Sequence, residues 1–135
     1  IKSVDVILMG RNTFEKVLTF DQWHYTVPVR VCTHRTLSIP DHLQNKVDVI
    51  SGDPSTMLEV LSKEGFVHAY VDGGLLIQQF LKAKLIAEIT LTHIPVLLGS
   101  GIPLFGQLED DIRLELLQSK NWENGLSQNH FKVLK

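Results

Sequence analysis

The alternation of apolar and polar positions divides the chain into short strands and amphipathic helices. Val4, Val6, Ile7, Leu8 and Met9 form an almost unbroken apolar run up to Gly10, the pattern of a central strand covered on both faces. A short helix is predicted from Phe14 to about Thr19, with Asn12 or Thr13 as its cap. Gln22–Pro28 reads as a loop, in which Trp23, His24 and Tyr25 either fold beneath the chain or meet a partner subunit. Val29-Arg30-Val31-Cys32-Thr33 alternates as a strand, and Val47–Ile50 is another. Asp53-Pro54 is a helix start, with aspartate at the cap and proline in the first turn, and Gly65 ends that helix.

The densest pattern lies between His68 and Gly106. Ala69-Tyr70-Val71 is a buried-type strand, and Asp72-Gly73-Gly74 turns the chain. Leu75, Leu76, Ile77, Phe80, Leu81 and Leu85 then recur near helical spacing. Ile86–His93 alternates as a strand. Pro95–Gly106, with three glycines after Pro95 and two prolines, reads as an ordered loop near a site. Two strands close the chain, roughly Ile112–Trp122 and Leu126–Leu134, joined at Asn124-Gly125, a strong hairpin signal. Leu114, Leu116 and Leu117 are expected to face other elements, and His130 and Lys132 water. Strand–helix alternation followed by a hairpin predicts an α/β sandwich with a mostly parallel sheet.

Composition narrows the function. A chain of 135 residues, 44% hydrophobic and 21% charged, fits one globular domain, expected to span 1–135. A net charge of -2 supplies no basic field for nucleic acid. Cys32 is the single cysteine, so no internal disulfide forms, which favours a reducing, cytoplasmic compartment. The six histidines are scattered without metal-ligand spacing, so no metal site is expected, and no apolar run is long enough to span a membrane.

The candidate chemistry sits where strands run into turns. Strand, Gly-Gly turn and helix together leave bare N–H groups and the positive end of a helix dipole facing one spot, an anion site at Asp72, Gly73, Gly74, Leu75 and Leu76. No GxGxxG fingerprint is present. Gly10, Arg11, Asn12 and Thr13 form a second strand–Gly–helix unit with a guanidinium and a hydroxyl suited to phosphate. Each turn alone is equally compatible with a plain connection.

Asp72-Gly73-Gly74, the run FLKAKLIAEITLTHIPVLLGSGIPLF and the earlier ILMGRNTFE, in that spatial logic, resemble the dihydrofolate reductase superfamily. The likeness is strongest to its branch around the reductase domain of the bifunctional riboflavin-biosynthesis deaminase/reductase. It extends from about Val6 to the C-terminus. The resemblance implies a dihydrofolate-reductase-like three-layer sandwich, with the C-terminal antiparallel hairpin closing it. It implies NADPH as cofactor, with the adenosine and its 2′-phosphate at Thr33, His34 and Arg35 and the phosphates at Gly10–Thr13. It implies a small heterocyclic substrate, similar to 5-amino-6-(5-phosphoribosylamino)uracil, and a homodimer. Dihydrofolate reduction and a non-catalytic nucleotide-binding or structural domain are the alternatives. Relative to the family, an N-terminal strand and loop are expected to be missing. No catalytic residue is assigned; Asp72 is the only carboxylate at a suitable place, and helix capping is its competing role.

Overall fold

The computed structural model describes residues 4–135. The beginning of the first predicted strand reaches into residues 1–3, which lie outside the described residues. Seven strands and three α-helices follow in the order β1 (Val6–Gly10), α1 (Arg11–Val17), β2 (Val29–Cys32), β3 (Val47–Ile50), α2 (Pro54–Lys63), β4 (Ala69–Asp72), α3 (Gly74–Lys82), β5 (Glu88–His93), β6 (Leu114–Asn121) and β7 (Ser127–Val133), with a single 3₁₀ turn at Asp41–Leu43. The chain divides into two compact units, one running to Gln79 and one from Phe80 to Lys135.

In the first unit the parallel sheet has the order β3-β2-β1-β4. β1 lies inside it because Val6–Met9 are all buried and can be covered on both faces. Its register sets Ile7 beside Val29 and Tyr70, and Met9 beside Val31 and Asp72. Alternation then assigns the faces. Ile7, Met9, Val29, Val31 and Val47 cluster with Phe14 of α1 and Leu43 on one face. Leu8 and Arg30 belong to the other. There the Arg30 guanidinium lies 5.4 Å from the centre of the Phe66 ring and 3.3 Å from Glu64 at the C-terminal end of α2. Helices therefore lie on both faces of the sheet.

Local signals behave as their chemistry requires. Asp53 caps α2, its carboxylate accepting from the Thr56 N–H at 2.8 Å, and Gly65 leaves the helix at φ +94°. The first helix differs from its prediction. It starts at Arg11 rather than Phe14, and its cap is Gly10, without a side-chain hydrogen bond. Asn12 and Thr13 thus lie inside the first turn, and neither caps it. α3 ends at Lys82 because Lys84 adopts φ 60°; Leu85 lies beyond it.

The second unit holds an antiparallel sheet of order β5-β7-β6. β5 joins the terminal hairpin instead of extending the parallel sheet, with Ile89 beside Phe131 and Leu116 across the three strands. The Asn124-Gly125 turn forms as predicted, Gly125 at φ +92° and its N–H donating to Trp122 at 3.0 Å. One face of this sheet carries Ile89, Phe131, Leu116, Val133 and Leu114; the other carries Glu88, Glu115, Lys132, His130 and Gln128. His130 pairs with Glu88 at 2.5 Å. Leu114, Leu116 and Leu117 are exposed rather than covered, and a bulge at Leu117 interrupts the alternation. In the loop after β5, Leu97 and Ile102 stand fully in solvent. Among the described residues no helix is long and apolar enough to cross a membrane.

Candidate functional site

The first unit brings the carboxyl ends of β1, β2 and β4 side by side, because β1 is hydrogen-bonded to both neighbours. All twelve residues expected to hold a cofactor lie on the turns that leave these three ends. Ligands of open α/β sheets sit outside such ends, where strand order reverses. The order here, with β2 on one side of β1 and β4 on the other, makes the β1/β4 boundary that place.

Two of the turns touch. Gly73 has φ +106°, and a β-carbon built on it would lie 2.9 Å from the Thr13 hydroxyl oxygen and 3.8 Å from the Gly10 nitrogen. Glycine is required at 73 both by the backbone angle and by this approach. Gly74 is different: its backbone is ordinary, and among the described residues nothing lies within 4 Å of where its β-carbon would stand. Open space therefore faces the start of α3. The Ile77 N–H already bonds to the Gly73 carbonyl at 2.9 Å. The N–H groups of Gly74, Leu75 and Leu76 precede it, in the turn whose donors a helix leaves without internal partners. Leu76 contributes only backbone here, since its side chain is in the core; that of Leu75 is exposed.

Arg11 ties the first turn to the end of β2. Its guanidinium donates to the Thr36 carbonyl at 3.1 Å and to the Thr33 hydroxyl at 3.4 Å, and pairs with Glu15 at 3.4 Å. The Thr33 hydroxyl also accepts from the Arg35 N–H at 3.2 Å, which fixes the turn Thr33-His34-Arg35. His34, Arg35 and Asn12 have exposed side chains. The Thr36 carbonyl and Glu15 were not foreseen as parts of this arrangement. Glu15 stands four residues after Arg11, a spacing readable in the sequence; a carbonyl acceptor leaves no sequence signal.

Asp72 ends β4 half-buried, on the same sheet face as Met9 and, two residues back, Tyr70. Burial raises its carboxyl above the ordinary carboxylate value, opposed by a hydrogen bond from the Gly73 backbone. The loop before β2 folds over this face. Trp23 and Tyr25 pack against the Ile7–Met9–Phe14 cluster, the Trp23 ring edge-on to both Phe14 (6.2 Å) and Tyr25 (5.0 Å). Desolvation, then the charges of Asp72 and Tyr70, push the Tyr25 phenol upward, and desolvation and Asp72 do the same to Tyr70. The sequence places Tyr25 in a loop that folds beneath the chain or meets a partner and Tyr70 in a strand, and gives neither a place beside Asp72. The Tyr70-x-Asp72 alternation could have placed one of them; nothing local locates the loop residue Tyr25. Among the described residues Trp23 Nε1 is buried without a hydrogen-bond partner. Cys32, at the end of β2, has its thiol raised by burial to about 11.

Residues 1–127 match the family described as RibD C-terminal domain. The uncharacterized protein YwjB of Bacillus subtilis strain 168 is 31% identical over 140 residues, covering 98% of this chain and 76% of its own length. A crystal structure from Shewanella sp. PV-4, of a protein provisionally named for riboflavin biosynthesis, superposes with a TM-score of 0.91 at 38% identity over 98% of this chain and 75% of that one. A pyrimidine reductase-like protein from Corynebacterium diphtheriae shares the fold, with a TM-score of 0.74 at 16% identity over 98% of this chain and 77% of its own.

Proposed function

Because the chain belongs to the RibD C-terminal domain family, we propose that it is an NADPH-dependent reductase of a pyrimidine or pteridine-like heterocycle, working in riboflavin biosynthesis. The observation that carries the reading is the joining of three turns into one site: Gly73 seated against Thr13, and Arg11 reaching from the start of α1 to Thr33 and Thr36.

The residues fit the cofactor. The open space beyond Gly74 is where a pyrophosphate would approach the N–H groups of Gly74, Leu75 and Leu76, and a side chain there would fill it. Gly10 and Thr13 adjoin that space through Gly73. At the end of β2, Arg35 has an exposed guanidinium and Arg11 lies beside Thr33, two cations suited to a 2′-phosphate dianion rather than a ribose diol. His34 is exposed on the same turn and offers a ring for the adenine. When bound, NADPH would supply the hydride; the turns at Gly10–Thr13 and Gly74–Leu76 would hold its phosphates and Thr33–Arg35 its adenosine end. The exposed apolar side chains of β6 and of the loop after β5 support a homodimer.

The test is titration of the 135-residue chain with NADPH and NADH, followed by nicotinamide fluorescence. Saturable binding with NADPH preferred at least tenfold is expected. A folded chain that binds neither is not a reductase of this kind.

A further inference from the structure

The second unit holds a cavity of its own, about 350 Å³ in volume, at the end of the antiparallel sheet where β5 starts and β7 finishes. Backbone bonds fix its frame. α3 stops where Lys84 adopts φ 60°, and the Leu85 N–H donates to the Phe80 carbonyl at 3.0 Å, which turns the chain toward β5. The end of β7 is tied to both neighbours, the Val133 N–H donating to the Ala87 carbonyl and the Leu134 N–H to the Arg113 carbonyl, each at 2.9 Å. Leu81, Ile86, Ile112 and Val133 give the cavity an apolar lining. Small-ligand sites occupy roughly 300–1,000 Å³, so this one suits a small molecule.

Charge surrounds that lining in two sets. Glu109, Asp110 and Asp111 come from the loop before β6. Lys82 and Lys84 come from the end of α3, and Lys135 follows β7. All six are exposed, and among the described residues none of them is in an ion pair. Opposite charges that face water gain little by pairing and stay apart. A ligand that displaces water from the apolar lining changes this, because the same charges act more strongly where water is excluded. The carboxylates call for a cation, the ammonium groups for an anion, and the lining for an apolar body. A purely cationic ligand would be repelled by the lysines, and a purely anionic one by the carboxylates. One molecule with both head charges and an apolar body meets all three requirements.

We propose that this cavity binds a free α-amino acid with a large apolar side chain. Its ammonium group meets Glu109, Asp110 and Asp111, its carboxylate meets the lysines, and its side chain enters the space between Leu81, Ile86, Ile112 and Val133. The site shares no residue with the three cofactor turns.

Isothermal titration calorimetry of the whole chain with L-phenylalanine, 2-phenylethylamine and 3-phenylpropionate tests each part of the match, because the second ligand lacks the carboxylate and the third the ammonium. Phenylalanine should bind saturably at one site per chain. Each of the other two should bind about tenfold more weakly or worse, the effect of losing one charged hydrogen-bonding group. The triple variant Glu109→Gln, Asp110→Asn, Asp111→Asn should weaken phenylalanine about tenfold and leave phenylpropionate no weaker. The triple variant Lys82→Gln, Lys84→Gln, Lys135→Gln should weaken phenylalanine likewise and leave phenylethylamine no weaker. Absence of saturable phenylalanine binding to the parent chain overturns the proposal. So does phenylethylamine or phenylpropionate binding as tightly as phenylalanine, and so does undiminished phenylalanine affinity in either folded variant. The ligand series on the parent chain decides the matter even where a variant fails to fold.

Discussion

Replacing Gly73 with alanine puts a methyl group where two turns meet, and the structure gives the cost in two parts. The first is backbone: at φ +106° an L-residue carries a penalty of about 1–2 kcal/mol that glycine avoids. The second is steric. The new β-carbon would stand 2.9 Å from the Thr13 hydroxyl oxygen, closer than real β-carbons come, so Thr13 must leave its rotamer or the turn must shift, on the order of 1 kcal/mol. The sum, about 2–3 kcal/mol, corresponds to a fall in melting temperature of roughly 10 °C for a chain of this size. A double-mutant cycle separates the parts. Thr13→Ala removes the clashing oxygen, so Gly73→Ala should cost about 1 kcal/mol less in that background, while the backbone part remains. Thermal unfolding by circular dichroism of the four proteins measures both. An unaltered melting temperature in Gly73→Ala, or strict additivity with Thr13→Ala, would refute the contact between the turns and with it the geometry on which the proposed cofactor site is built.

Other substitutions test neighbouring parts. Gly74→Val should leave the melting curve near that of the parent and abolish NADPH binding, because its side chain enters open space rather than protein; titration with the folded variant decides. Arg35→Ala should weaken NADPH at least tenfold more than NADH, and equal losses in fluorescence titration would remove its 2′-phosphate role. Asp72→Asn should raise stability near neutral pH. The raised carboxyl pKa means that the neutral form is the favoured one in the fold, so its stabilisation is present below the ordinary value of 3.8 and is lost as pH rises through the higher folded-state value. The variant and parent should therefore melt alike in acid and diverge above it. Cys32, with its thiol near 11 instead of 9.0, should react with iodoacetamide at pH 8 about a hundredfold more slowly in the native chain than in urea.

The parallel core was legible because β1 is apolar without interruption and because glycine lies at the ends of β1, β3 and β4. Asp53-Pro54, Gly65 and Asn124-Gly125 announced a helix start, a helix stop and a hairpin through local chemistry that the fold keeps. The partner of β5 was not legible. Its alternation specifies a strand with one covered face, and only the pairing with β7 says which sheet it enters. The start of α1 was misread because Asn12 and Thr13 are strong capping residues, whereas the actual cap is Gly10, which has no side chain to advertise it. In the site, the turns were visible from composition and their mutual approach was not: the meeting of Thr13 and Gly73 joins positions 60 apart in sequence. Asp72 illustrates the same limit. Its place at a strand end was plain, but its surroundings depend on a loop whose two aromatics carry no periodic signal.

The pairing of β1 with β4 also has a consequence for how the chain reaches its native state. Val6 meets Ala69 across a long closed loop, whereas β6 and β7 are joined by a tight turn. Local hairpins form within microseconds, while ladders between distant segments must first overcome the entropy of loop closure. The terminal hairpin is thus available early, and the turns that gather around Gly73 come together only when the β1–β4 ladder closes. A molecule bridging those turns would hold shut a late-closing ladder. Its signature would be slower unfolding with an almost unchanged folding rate.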